Sequence, residues 1–410
     1  MNTTTEQLPL SKRIKDIFKY VGPGIITAAL VFGPGSLTIT SKLGSLFAFQ
    51  HIWVICLAIF FMAVFTEMGA RIGVVTNDSL LQTIKTKWGK ATSIGLGIGI
   101  FAITASFQAG NTIGASLAFA ELFHTSIEPW LVSFTLLGIS LLFYRSFYQI
   151  LEKLMIALVG LMLLSFLITL ILIQPKLSSL GSGLLPSIPA GSEVLTIALV
   201  ASSFSVVGAF YQSYLVKEKQ WKIGQIYQAK KEAVAGVMIL GTISLFILIN
   251  AASILFPRGI NVSSATDMGL ALEPLYGSTA TLIFMLGLFG ASFSSLIGNA
   301  TIGGSLVSDA FSLGNELRSP GLRAMIVLVM IIGASIALIF GSLPLELIIF
   351  AQAITIIIAP LVGLALLLIA NDTQLMGTHK NTFAQNLKSI LGLVLLLCLS
   401  GSQLYFQFIQ

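Results

Sequence analysis

Residues 31–42 read VFGPGSLTITSK in the middle of a long apolar run. Pro34 has no N–H for an i→i−4 bond, its ring crowds the preceding turn, and Gly33 and Gly35 loosen the backbone on either side. In hydrocarbon, broken backbone is tolerated only where protein buries it or where it lines a wet cavity. Gly33–Ser36 is therefore a packing kink or part of a binding site. Lys42 lies six residues beyond Ser36, or ~9 Å along a helix. It either adds positive charge to a vestibule or snorkels outward. Glu67 and Arg71, four apart on one predicted helix, are expected to pair. Asp309 is expected to cap or gate the inner end of its span. His51, His124 and His379 are scattered over span ends and loops, so neither a histidine metal site nor a proton relay is expected. Cys56 and Cys398 make no zinc pattern and are expected to be packing residues. No Ser/His/Asp set, P-loop or dinucleotide fingerprint supports an enzyme or an ATP-driven pump. No cofactor is implied.

The elements that must position these residues are membrane helices. The chain of 410 residues is 56% hydrophobic and only 9% charged, with a mean hydropathy of +0.96, whereas a soluble chain carries about 25% charged residues. A span needs ~20 apolar residues, and eleven segments are expected to cross: 21–46, 51–75, 94–122, 129–144, 149–173, 193–216, 232–256, 279–306, 322–342, 345–370 and 385–408. The start, MNTTTEQLPLSKRIKDIFKY, is polar and then basic, and fits no signal peptide. Most of the 22 Lys and Arg fall in the N-terminal segment and in the loops after even-numbered spans, against Lys176 and Arg258 on the other side. That bias predicts a cytoplasmic N-terminus and an outer C-terminus, as in a bacterial inner membrane. The net charge of +6 is this topology signal, so the expected surroundings are the lipid bilayer, with no nucleic acid and no protein partner.

The organisation reads as an inner N-terminal segment (1–20), a five-helix unit (21–173), an outer linker (174–192), a second five-helix unit (193–370), and an inner loop with an eleventh helix (371–410). The sixth span repeats the oddity of the first: Ser202-Ser203 and then Val207-Gly208-Ala209-Phe210 interrupt its apolar run. Odd helices at matching positions of two halves point to an inverted repeat with a substrate site between two broken helices at the midplane.

Several stretches, in order, resemble the Nramp family of divalent-metal transporters, which have a LeuT-type fold. They are Gly22-Pro23-Gly24 with the break at Gly33–Ser36, ARIGVVTNDSL after the second span, LEKLMIAL in the fifth, LLPSIPAGS before the sixth, LFGASFSSLIGNATIGG in the eighth, and FAQAITIIIAPLVGLALLLIANDTQLMG closing the tenth. The resemblance implies an all-α integral membrane protein: a 5+5 inverted repeat plus one span, with helices 1 and 6 broken. It also marks departures. The family's metal-holding Asp and Asn of the first broken helix correspond to Gly33 and Ser36. Its Ala-x-x-Met-Pro-His motif is matched to Ala209–Tyr214, so that Gln212 replaces Met and Tyr214 replaces His. The proton-route Asp and Glu of the third span fall on Gln108 and Asn111, and the tenth-span glutamine is kept as Gln352. Ser292, Ser294 and Ser295 match serines that can serve Na⁺ or gating in LeuT-type carriers.

A transition-metal site wants a carboxylate for charge and a soft ligand for selectivity. The expected set of Gly33, Ser36, Ala209, Gln212 and Gln352 offers neither, so it is no conventional metal site. Two readings follow for a small inorganic ion substrate. One is a metal-cation carrier holding a hydrated Mg²⁺-like ion on neutral oxygens, without tight proton coupling. The other is a small-anion carrier, bicarbonate- or carboxylate-like and Na⁺-coupled, that uses helix N-termini and Lys42.

Overall fold

The computed structural model describes residues 33–143, 145–314, 319–340 and 345–408. The expected N-terminal segment and the first half of the first span lie outside the described residues. The described chain is all helix and loop. Its main helices are α1 (Pro34–Phe47), α2 (Ile52–Val75), α3 (Leu80–Trp88), α4 (Lys90–Phe123), α5 (Glu128–Leu141), α6 (Arg145–Ile173), α7 (Glu193–Ser203), α8 (Val206–Glu218), α9 (Ile226–Ile254), α10 (Ala280–Phe311), α11 (Pro320–Phe340), α12 (Leu345–Asn371) and α13 (Phe383–Phe408). Among the described residues, nine helical stretches are long and apolar enough to cross a membrane, with α7 and α8 making up one of them. The expected fourth span is α5, which has 14 residues.

Two groups of helices meet at the middle. In one, α2 packs on α8 and α9, and α1 packs on α9; in the other, α10 packs on α4, α6 and α11. Small residues let these backbones approach, as is usual between membrane helices. At Gly69 of α2, a Cβ would lie 2.0 Å from the carbonyl oxygen of Ala209. The helices α6, α11 and α13 leave most of their apolar surface unburied, as a lipid-facing ring does.

Each terminus near the middle has a local cause. Gly33 is extended and Pro34 opens α1, a position where the missing proline N–H would have had no helical partner. Between α7 and α8, only Phe204 and Ser205 are non-helical. There the Ser205 hydroxyl accepts from the Gly208 N–H at 3.1 Å and caps α8. The interruption therefore falls between the two stretches that the sequence marks, and Val207–Phe210 is already helical.

Two expectations are corrected. Glu67 and Arg71 do not pair: Glu67 accepts from Lys230 at 2.6 Å, while Arg71 donates to the side-chain oxygens of Asn381 and of Gln385. Tertiary partners from α9, α13 and the loop before α13 outcompete the i,i+4 neighbour. Cys56 and Cys398 are both exposed rather than packed, consistent with their place on outward helix faces.

Candidate functional site

The open ends of α1, α7 and α8 converge on one cavity of about 80 Å³. On this measure a water needs ~10–15 Å³, so the space suits a small ion with part of its hydration shell. From α1 and its cap come Gly33, Pro34, Gly35 and Ser36; from α7, Ala201 and Ser202; from Ser205 onward, Val207 and Gly208. Across from them, α4 contributes Thr104, Ser106, Phe107 and Asn111, and α10 contributes Ser295, Asn299 and Ile302. One side is closed by Leu347, Ile348, Ala351 and Thr355 of α12.

Among the described residues, the lining carries hydroxyls, amides and helix ends, with no charged side chain and no sulfur. No cluster of three His, Cys, Asp or Glu able to hold a metal occurs among the described residues. The first N–H groups of α1 lack helical acceptors, and so do the last carbonyls of α7 their donors. Partial charges of both signs thus face the same space.

A Cβ on Gly33 would lie 3.0 Å from the Asn111 Oδ1 and 3.9 Å from the Ser295 Oγ, so these three groups share one corner. Beside Gly35 is the amide of Gln352, whose Nε2 would be 3.7 Å from a Cβ there. Neither polar atom of that buried amide has a hydrogen-bond partner among the described residues. Such groups are rare and call for an explanation. Gln108 is the opposite case. Its Nε2 donates to the Leu296 carbonyl at 2.8 Å and its Oε1 accepts from Asn299 at 3.0 Å, while Asn299 also donates to the Thr104 carbonyl. This amide wedge ties α4 to α10 at the cavity wall.

Of the residues singled out from the sequence, Gly33, Ser36, Asn111 and Ser295 line the cavity, and Gln352 and Gln108 lie behind it. Ala209, Gln212, Tyr214, Lys42 and Ser294 are not in the lining. The sixth-span register is the correction. Because the interruption falls at Phe204 and Ser205, the first turn of α8 faces the cavity, and Ala209 and Gln212 turn toward Gly69 of α2. Tyr214 is two turns further on, where its hydroxyl donates to Asp309 at 2.6 Å. Lys42 is half-buried on α1, with no ion-pair partner among the described residues. Thr104, Asn299 and Thr355 were missed. Ser295 and Asn299 are four apart, as are Ala351 and Thr355, so a search for small or polar residues at helical spacing in apolar runs would have found them.

The chain matches the family model described as natural resistance-associated macrophage protein-like over residues 24–406. It is 25% identical to a divalent metal cation transporter MntH of Caldanaerobacter subterraneus, covering 98% of this chain and 96% of that protein. An MntH of Listeria monocytogenes is 24% identical, covering 90% and 86%. Among solved structures, a mutant of an Eremococcus coleocola manganese transporter superposes with a TM-score of 0.75 at 20% identity, covering 99% and 91%. The nucleobase-cation-symport-1 family transporter Mhp1 superposes with a TM-score of 0.66 at 13% identity, covering 94% and 92%.

Proposed function

As the chain belongs to the natural resistance-associated macrophage protein-like (Nramp) family, we propose that it is a secondary membrane transporter of a metal cation, with the cavity at the helix ends as its substrate site. Relatives described as divalent metal cation transporters support the class. We read α1 as the second half of a discontinuous first span, and α7 with α8 as a discontinuous sixth, in an eleven-span 5+5 inverted repeat with a cytoplasmic N-terminus. The observation that carries the substrate reading is the lining itself: Ser36, Asn111, Ser205, Ser295 and Asn299 offer neutral oxygens and no carboxylate or sulfur. Such donors do not select a soft ion. Burying a bare dication among them is expensive, so the carried ion keeps several waters, as Mg²⁺ commonly does. Proton coupling finds no titratable group among the described residues of the lining, and the Gln108 amide is engaged on both atoms.

One observation favours a second reading. The N-terminal end of α1 opens on the cavity with no carboxylate among the described lining residues, an arrangement that favours an anion. Uptake into proteoliposomes separates the two. The expected result is Mg²⁺ entry that exceeds Mn²⁺ entry without acidifying the lumen. Bicarbonate entry with no cation uptake would replace the first reading by the second.

A further inference from the structure

Two turns below the cavity, a second polar cluster joins the same helices. Ile302 lines the cavity on α10, and Asp309 is seven residues on; Val207 lines it on α8, and Tyr214 is seven residues on. Seven residues return to nearly the same helix face ~10 Å further along the axis. Both side chains therefore lie beneath the cavity, toward the lysine-rich face. There the Tyr214 hydroxyl donates to Asp309 Oδ2 at 2.6 Å, and the Ser79 hydroxyl donates to the same oxygen at 2.5 Å. Tyr214 also accepts from the Leu81 N–H at 3.2 Å, and Ser79 accepts from the Gln82 N–H at 3.1 Å.

These bonds pin the start of the short helix α3 against α8 and α10. Its far end is held too, since Lys85 donates to Ser312 at 2.9 Å and Lys87 pairs with Asp372 at 2.6 Å. Asp309, Ser79 and Tyr214 belong to three elements from both helix groups, and all meet at one carboxylate oxygen. Charge-assisted bonds of this length are roughly twice as strong as neutral ones, and a few of them suffice to bias a two-state element.

We infer that Tyr214, Asp309 and Ser79 form an inner latch, with α3 as its strap, that closes the cavity from the lysine-rich face and must break for the substrate to leave there. The inference rests on the cavity being the transport site. Its test reads access, not transport. In a background where Cys56 and Cys398 are replaced by serine, Ile302→Cys places a thiol in the cavity wall. Membrane vesicles exposing the lysine-rich face are then treated with a membrane-impermeant maleimide. Tyr214→Phe keeps the ring stacked on Tyr211, whose centroid is 6.0 Å away, and removes only the hydroxyl. It and Asp309→Asn should each speed labelling at least tenfold. An unchanged rate in both variants, with both still folded by thermal denaturation, overturns the latch. Faster labelling with unaltered ion uptake upholds the latch and overturns the cavity as the transport site.

Discussion

The cavity at the middle and the polar seam beneath it share α8, α10 and α12 but treat their polar groups differently. Around the cavity, the Gln352 amide and the Ser292 hydroxyl are buried with no partner among the described residues. At the seam, Tyr214, Ser79 and Asp309 bond to one another, and Asn371, Asn381 and Asn386 exchange amide hydrogen bonds beside Arg71. Leaving a buried polar group unmade costs ~1–3 kcal/mol. A chain that bears this cost at the cavity, and at the seam, among the described residues, only at the Arg71 Nε, separates two tasks. The under-partnered level is fitted to hold something that comes and goes, and the better-paired level to hold the helices themselves.

The largest expected effect reverses the character of the cavity. In Gly33→Asp the new side chain would start 3.0 Å from the Asn111 Oδ1, close enough that the neighbour must give slightly, and would put a carboxylate in the neutral corner. A unit charge ~4 Å from an ion is worth about 4 kcal/mol at an effective dielectric of 20. Even after relaxation, Mn²⁺ affinity measured by calorimetry should rise at least a hundredfold, and any anion transport should vanish. Unchanged Mn²⁺ binding would show that the site is not at Gly33–Ser36.

At the seam, the matching test is Arg71→Met. It strands the Asn381 side-chain oxygen that the guanidinium now satisfies and removes one of the donors to the Gln385 oxygen, which keeps the Thr382 N–H, at a cost of ~3 kcal/mol in detergent unfolding, with little change in ion affinity. A smaller effect, ~2 kcal/mol, is expected for Gly69→Ala, because its Cβ would meet the Ala209 carbonyl oxygen at 2.0 Å and force α2 and α8 apart. Its counterpart Gln212→Ala should leave ion affinity intact. If instead Gln212→Ala weakens binding tenfold, the side chains of α8 face the cavity one turn later than described.

Much of this was legible in the chain, and the exceptions have physical causes. Hydropathy marks the membrane helices, since water-free surroundings leave the backbone no alternative to helix. The α1 terminus is written into Gly33-Pro34-Gly35, because proline and glycine act locally. The sixth-span register was not legible: Ser202-Ser203 and Val207–Phe210 both interrupt the apolar run, and each residue of slip turns a side chain by ~100°. Nor could spacing reveal that Glu67 prefers Lys230 to Arg71, or that Tyr214 reaches Asp309 across 95 residues. Such pairings are decided by how helices pack. The same holds for Gln352: its type and place are read from the sequence, its lack of partners only from the fold.

The smallest expected effect lies where the seam meets water. Asp372 caps a short turn by accepting from the Gln374 and Leu375 N–H groups, and its other oxygen pairs with Lys87. The bond from Lys87, with help from those two N–H groups, holds the carboxyl below the usual range. A carboxylate with a lowered folded-state pKa adds stability above its unfolded value of ~4 and loses it as pH falls through the folded value. The side chains of Lys87 and Asp372 are 25% and 21% exposed, so solvent screens the pair and leaves about 0.5 kcal/mol. Asp372→Asn should therefore lower the unfolding temperature only slightly at pH 7. The gap should shrink in 1 M salt, where the Debye length is about 3 Å, and close as pH drops below ~4. The partly buried bonds of Tyr214 and Ser79 to the buried Asp309 should respond less to salt. If Asp372→Asn instead matched Arg71→Met in size and ignored salt, the rim would belong to the buried seam, and α3 would be clamped equally at both ends.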